Sequence, residues 1–142
     1  MPDIAAVPTE AAPSAVPGSR EITLRRFFEA IHAGDTATLE AVLLPSAVTR
    51  WPQTGEQITG AMACIRVYAN YPGGPPAYHV ERVLGAGDVW VAELTVDYGT
   101  ERWYVASVAE FEGERIARFT DWFAPQLPAP EWRRELVDAP GR

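Results

Sequence analysis

The hydrophobic periodicity of this chain changes once, at the proline- and glycine-rich run PGGPP of residues 72–76. Before this run, apolar residues recur at helical spacing, as at Leu24, Phe27 and Phe28. After it, apolar and polar residues alternate, as in strands with one buried face. Helices grouped first and strands grouped last predict an α+β fold with an antiparallel sheet. A length of 142 residues suits one such domain.

The helical part is punctuated by residues that begin and end helices. Ser19 is expected to cap the first helix and Gly34 to end it. Asp35 is expected to cap a second, shorter helix that stops near Pro45. The first helix is predicted at residues 20–33 and the third at 59–71. A strand at 47–51 and a loop at 52–57 are predicted between the second and third helices.

The part after residue 76 has the turn spacing of antiparallel hairpins. Gly113 suits the positive-φ position of a tight turn. Three helices packed on such a sheet, when it curls, form a cone with an apolar interior. The predicted elements are strands at residues 77–85, 88–98, 102–111 and 115–124, and a short helix at 130–137. The predicted divisions are a disordered Ala/Pro-rich tail at residues 1–18, the domain at 19–138 and a C-terminal tail at 139–142.

The charge of the chain limits its partners. The net charge is −7 and the pI about 4.8, which argues against nucleic acid or an anionic membrane as a partner. No apolar run approaches the ~20 residues that span a membrane. All twelve basic residues are arginine, so no lysine can form a Schiff base. One cysteine excludes an intramolecular disulfide, and no export signal is expected, so we predict a cytoplasmic protein.

Asp121 interrupts an apolar face of the last predicted strand. Alternation puts Phe119, Asp121 and Phe123 on one side of that strand. A carboxylate among core-facing residues is costly unless it is hydrogen-bonded or protonated, so burial should raise its pKa. A carboxyl of that kind can act as a general acid or base near neutral pH. The alternative is an aspartate that a neighbouring Tyr, Trp or backbone N–H holds in place without any turnover.

Three segments resemble the SnoaL-like branch of the nuclear-transport-factor-2-like (NTF2-like) superfamily. RRFFEAIHAGDTATLEAVLLPSAVTRWP is similar to its opening helices and strand, EFEGERIARFTDWFAP to its last hairpin, and PAPEWRREL to a C-terminal helix. The resemblance covers roughly residues 20–138. It implies a cone-shaped α+β fold with three N-terminal helices on a curled antiparallel sheet and a short C-terminal helix. It implies no single reaction, because this fold hosts isomerases, cyclases, epoxide hydrolases, dehydratases and binding proteins.

One subfamily can be tested by residue. Limonene-epoxide-hydrolase-like members use an Arg-x-Asp on a middle strand and an Asp on the last strand. The resemblance puts Asp121 at the last-strand position and Asp97 at the middle-strand one, but Thr95 stands where the arginine would be. Alternation alone puts Asp97 on a solvated face, and only a bulge would turn it inward. The match to this subfamily is therefore incomplete.

Further side chains are candidates for the same site. His79 could pair with Asp121 across the cone, or it could lie exposed beside Glu81. Trp51 and Tyr68 are plausible groups at the rim, because Trp and Tyr carry polar atoms that need partners. The predicted catalytic residues are Asp121, His79 and Asp97, and the predicted pocket residues are Trp51, Tyr68, Trp103, Phe119 and Phe123.

Three functions remain open from the sequence. The first is an enzyme that uses no cofactor and moves a proton in a small, largely apolar molecule by isomerisation, cyclisation or hydration. The second is a binding or accessory protein in which the same pocket does no chemistry. The third is an interaction module that dimerises through the outer sheet face, where Trp122 lies among arginines. The two histidines do not lie at metal-ligand spacing with carboxylates, so no metal site is expected.

Overall fold

The structure is a computed structural model and describes residues 18–139. Three helices, six strands and a terminal 3-10 helix follow one another, so the predicted α+β order is confirmed. The tail predicted at residues 1–18 lies outside the described residues except for Gly18, and the tail at 139–142 except for its first residue. The elements are α1 (Ser19–Ala33), α2 (Thr36–Val42), β1 (Leu43–Trp51), β2 (Glu56–Thr59), α3 (Ala61–Ala69), β3 (Tyr78–Ala86), β4 (Val89–Tyr98), β5 (Glu101–Glu112), β6 (Arg115–Pro125) and the 3-10 helix (Glu131–Leu136).

The six strands form one sheet in the order β2-β1-β6-β5-β4-β3. Strands β3 to β6 are an antiparallel meander, as predicted, and β1 joins the outside of β6 in parallel. Strand β2 was missed: its first two residues were predicted as loop and its last as the start of a helix, because four residues alternate too briefly to give a pattern. Register shifts at Glu81, between β3 and β4, and near Phe111, between β5 and β6, mark bulges that increase the twist of the sheet.

The helix ends follow local chemistry, with one correction. Gly34 ends α1 in the left-handed region at φ 66°, and the Asp35 carboxylate accepts the Thr38 N–H at 3.1 Å to cap α2. Ser19 is not the cap of α1. The helix begins one residue earlier than expected, so Ser19 is its first residue and Gly18 occupies the cap position without a side chain to contribute.

The core lies between the helices and the concave side of the sheet. Phe27 of α1 lies over Phe119 of β6 with ring centroids 4.4 Å apart, and Phe28 packs edge-on against Phe27 and Tyr78 at 5.2 Å. By contrast, the C-terminal 3-10 helix buries none of its side chains. It lacks the apolar contacts that stabilise a short α-helix. Within residues 18–139, no helix has the length and apolar character required to cross a membrane.

Candidate active site

A cavity of about 420 Å³ opens at one end of the cone. It lies where β1, β4 and β6 end and β5 begins, beside the segment that follows α3. Six aromatic side chains, two valines and three carboxylic acids form its wall. The lining residues are Trp51, Glu56, Tyr71, Tyr78, Val96, Tyr98, Glu101, Trp103, Val105, Asp121 and Phe123.

Asp121 lies at the inner end of this cavity and is 7 % exposed. It faces Ser107 directly across the β5–β6 pairing, and the Ser107 hydroxyl donates to its Oδ1 at 2.7 Å. Trp51, the last residue of β1, donates its indole N–H to Oδ2 at 3.0 Å. Each carboxyl oxygen therefore has one protein donor, and the carboxyl group is fixed in orientation.

Burial raises the pKa of Asp121, although the hydrogen bonds from Ser107 and Trp51 oppose that effect. Trp51 can only donate, so Oδ2 must accept in either state. The hydroxyl of Ser107 can donate to a carboxylate or accept from a protonated carboxyl. The same hydrogen-bond pair thus accommodates both protonation states, which suits a group that gives and takes a proton.

Three tyrosines face the cavity with Asp121. Burial is the main cause that raises the pKa of Tyr71, Tyr78 and Tyr98, the last to about 12. The negative charge of Asp121 adds to the effect on Tyr71 and Tyr78. These hydroxyls therefore stay protonated at neutral pH and can donate hydrogen bonds to an oxygen that gains negative charge.

The structure separates the predicted pocket residues into two groups. Trp51, Trp103 and Phe123 line the cavity, and the Phe123 ring contacts both indoles at centroid distances of 6.3 and 6.1 Å. Tyr68 and Phe119 are buried in the core and do not line it. Both pack against Phe27 of α1, so they support the cavity from behind.

The structure does not bring His79 or Asp97 to Asp121. The His79 side chain is 76 % exposed and lies 3.6 Å from Glu81. The Asp97 side chain is 59 % exposed and forms an ion pair with Arg102 at 2.9 Å across the β4–β5 hairpin. The register shift in β3 does not turn either residue inward. Both were placed wrongly as cavity residues, because strand alternation holds them on the outer face.

The epoxide-hydrolase pattern is not assembled either. Thr95, at the position of the arginine, donates to Glu81 on the outer face at 3.2 Å. With Asp97 also outside, only Asp121 of that pattern reaches the cavity. Within residues 18–139, no three His, Cys, Asp or Glu side chains are grouped so that they could hold a metal ion.

Several residues that line the cavity, and Ser107 behind Asp121, were missed from the sequence. Ser107 carried no signal beyond its inward position in alternation, and the cross-strand register that puts it opposite Asp121 was unknown. Glu56 lies on the unpredicted strand β2, and Glu101 was taken as a turn residue. Tyr71 and Tyr98 follow and end their elements, where the direction of a side chain is least predictable.

A family model of the SnoaL-like domain matches residues 24–119. The chain belongs to the SnoaL-like domain family. The match includes α2, α3 and β1 to β5, most of α1, and β6 as far as Phe119. No curated protein matches this SnoaL-like chain.

Solved structures with the same fold extend the comparison. An NTF2-like protein of unknown function from Burkholderia xenovorans is 30 % identical over 87 % of this SnoaL-like chain and 100 % of its own, with a TM-score of 0.76. A candidate ketosteroid isomerase from Kribbella flavida is 24 % identical, with 87 % and 91 % covered and a TM-score of 0.79. An epoxide hydrolase from Mycobacterium tuberculosis of the limonene-epoxide-hydrolase-like type is 21 % identical, with 75 % and 83 % covered and a TM-score of 0.64.

Proposed function

We propose that this SnoaL-like protein is a cofactor-independent acid/base enzyme that isomerises, cyclises or hydrates a small, largely apolar carbonyl compound. Asp121 takes a proton from one position of the substrate and returns it at another. The hydroxyls of Tyr71 and Tyr78 donate to the substrate oxygen as negative charge develops on it. Trp51 and Ser107 hold the carboxyl in place between the two proton transfers.

One observation carries this proposal: a buried carboxyl with a raised pKa forms part of the wall of an open cavity. Such a group is matched to proton transfer near neutral pH. The largely aromatic wall suits an apolar substrate. Structural similarity to a candidate ketosteroid isomerase and to an epoxide hydrolase supports a reaction class, and not a particular substrate.

Solvent-deuterium exchange into cyclic ketones, followed by NMR, tests the proposal without knowledge of the natural substrate. Asp121→Asn keeps the shape and removes the proton-transfer group, so the exchange rate should fall on the order of 10²–10⁴. Asp97→Asn is the matched control, because that carboxylate lies outside the cavity and pairs with Arg102. Equal rates in wild type and Asp121→Asn, or equal losses in both variants, would contradict the proposal.

A binding protein without turnover is the second candidate. It is favoured by the fact that both oxygens of Asp121 have a donor from the protein itself. In that case Asp121 orders the wall of the cavity and does no chemistry. Ketones would then bind, as seen by tryptophan fluorescence, while the wild type catalyses no exchange above the buffer rate.

We also propose that the outer face of the sheet is an interface between two copies of the chain. Trp122 is 51 % exposed and Tyr104 46 % exposed there. Arg102 lines the same outer depression as both aromatics, and Arg118 precedes Trp122 on the same face of β6. Exposed aromatics among arginines are typical of interface cores, so we expect a homodimer through this face. Sedimentation velocity should show a dimer for the wild type and a monomer for Trp122→Glu, and a wild-type monomer at tens of micromolar would contradict the expectation.

A further inference from the structure

The charges at the cavity all have one sign. Asp121 lies at its inner end, and Glu56 and Glu101 lie at its open side, where both are exposed. Among the described lining residues there is no arginine or histidine, and the chain has no lysine. An anionic ligand would therefore meet three carboxyl groups and no compensating cation.

The two rim glutamates are placed by hairpins. Glu56 faces Trp51 across the β1–β2 pairing, and Glu101 faces Tyr98 across the β4–β5 pairing. Each carboxylate thus lies beside an aromatic ring that lines the same cavity. Both hairpins end at the cavity, so the glutamates flank its entrance from two strand pairs that are not adjacent in the sheet.

The wall between the carboxyl groups is aromatic. The Phe123 ring packs against both Trp51 and Trp103, and three tyrosines complete the surface. The faces of aromatic rings carry partial negative charge and attract cations, Trp most strongly. Quaternary and protonated amines are bound by such aromatic cages when the ligand is desolvated.

We infer that the cavity selects a cationic ligand, an apolar molecule that carries a protonated or quaternary amine, and rejects carboxylates and phosphates of the same shape. This inference rests on the proposed function only in taking the cavity as the substrate site, and it narrows the substrate class. The ring faces hold the ammonium group, while Glu56 and Glu101 draw it to the entrance. An amine held there leaves the rest of the molecule to reach Asp121.

Three probes of nearly equal shape and different charge test the inference: phenyltrimethylammonium, tert-butylbenzene and benzenesulfonate. Titration followed by NMR and by the fluorescence of Trp51 and Trp103 gives a Kd for each. The cation should bind about tenfold or more tightly than the neutral probe. Benzenesulfonate should bind more weakly than the neutral probe.

Variants that neutralise the two rim glutamates measure their contribution to binding separately from that of the aromatic wall. Glu56→Gln/Glu101→Gln should weaken binding of the cation by about three- to tenfold and leave the neutral probe unchanged. Glu112→Gln/Glu114→Gln is the matched control, because it removes the same charge at the opposite end of β5. Salt at about 0.5 M should reduce the advantage of the cation in the wild type, since exposed charges are screened within a few ångströms.

These experiments distinguish failure of the cationic-ligand inference from failure of the proposed enzyme activity. Equal or tighter binding of the anion, equal loss in the rim and control variants, or no binding of the cation at millimolar concentration would overturn the inference. Loss of ketone exchange in Asp121→Asn together with charge-independent binding would keep the proposed enzyme and reject the cationic substrate class. Strong preference for the cation without any exchange would keep the ligand class and reject the enzyme.

Discussion

Replacing Ser107 with alanine removes one of the two hydrogen bonds that hold Asp121. Ser107 is 1 % exposed, and its hydroxyl lies 2.7 Å from Oδ1, an ordinary length for an O–H···O hydrogen bond. Such a bond contributes about 1.5–3 kcal/mol when the acceptor is ionised and about 0.5–1.5 kcal/mol when both partners are neutral. The loss in Ser107→Ala should therefore depend on whether Asp121 is charged.

The sign of the pH dependence follows from the direction of the pKa change. Folding raises the pKa of Asp121, so the folded state binds more protons than the unfolded state above the ordinary carboxyl range. Stability due to this group therefore falls as the pH rises through the folded-state pKa. Ser107→Ala raises that pKa further, because it removes a donor to the charged form, so the fall in stability becomes larger and extends to higher pH.

Urea unfolding at a series of pH values from about 4 to 8 measures this effect. Compared with wild type, Ser107→Ala should lose more free energy of unfolding at pH 8 than at pH 4. Thr49→Val is the matched control: Thr49 is 3 % exposed, and its hydroxyl lies 3.5 Å from the Cys64 thiol, which burial keeps neutral by raising its pKa to about 11. Equal losses at every pH in Ser107→Ala, or the same slope in Thr49→Val, would refute the reasoning.

Three other predictions test the core and the site. Asp121→Asn should unfold at the same or a higher temperature than wild type at neutral pH, because no buried charge remains. This advantage should disappear as the pH falls into the ordinary carboxyl range. A Tm difference between Asp121→Asn and wild type that is less favourable to the variant at pH 7 than at pH 4 would contradict this prediction. Cys64, with its raised pKa of about 11, should react with iodoacetamide on the order of 10² times more slowly in the native protein than in guanidinium at pH 8. Gly85→Ala should lower the free energy of unfolding in urea by about 1–3 kcal/mol, since the new Cβ would lie 2.6 Å from both the Trp90 ring and the Val89 carbonyl oxygen. An unchanged midpoint would show instead that β4 moves to make room for the methyl group.

The order of the elements was predictable because periodicity and punctuation are local properties. The helical spacing of Leu24, Phe27 and Phe28 defined α1, and Gly34 and Asp35 marked the boundary between α1 and α2. The meander followed from alternation interrupted by glycine turns. Neither the periodicity nor the turn residues predict the pairing of β1 with β6, because parallel strands far apart in the sequence are not joined by a tight turn.

The candidate site was predictable to the extent that it depends on alternation along a single strand. Asp121 on an apolar face pointed inward, and it is buried. Asp97 was assigned by resemblance, against the alternation of its own strand. His79 was assigned as a partner for Asp121 across the cone, and the structure has the alternative, an exposed His79 beside Glu81. Of the two observed partners, Trp51 was among the candidates and Ser107 was not. Which candidates meet Asp121 depends on how β1 and β5 align with β6, and alignment between strands is a tertiary property.

The parallel join between β1 and β6 also bears on how the protein is made. Trp51 and its acceptor Asp121 lie 70 residues apart, and ribosomes add about 5–20 residues per second. At that rate, Trp51 is synthesised roughly 4–14 s before Asp121. During that interval the edge of β1 that later pairs with β6 has no partner, and its backbone groups are open to other chains. A chaperone bound to this strand during synthesis would cover that edge until β6 is available.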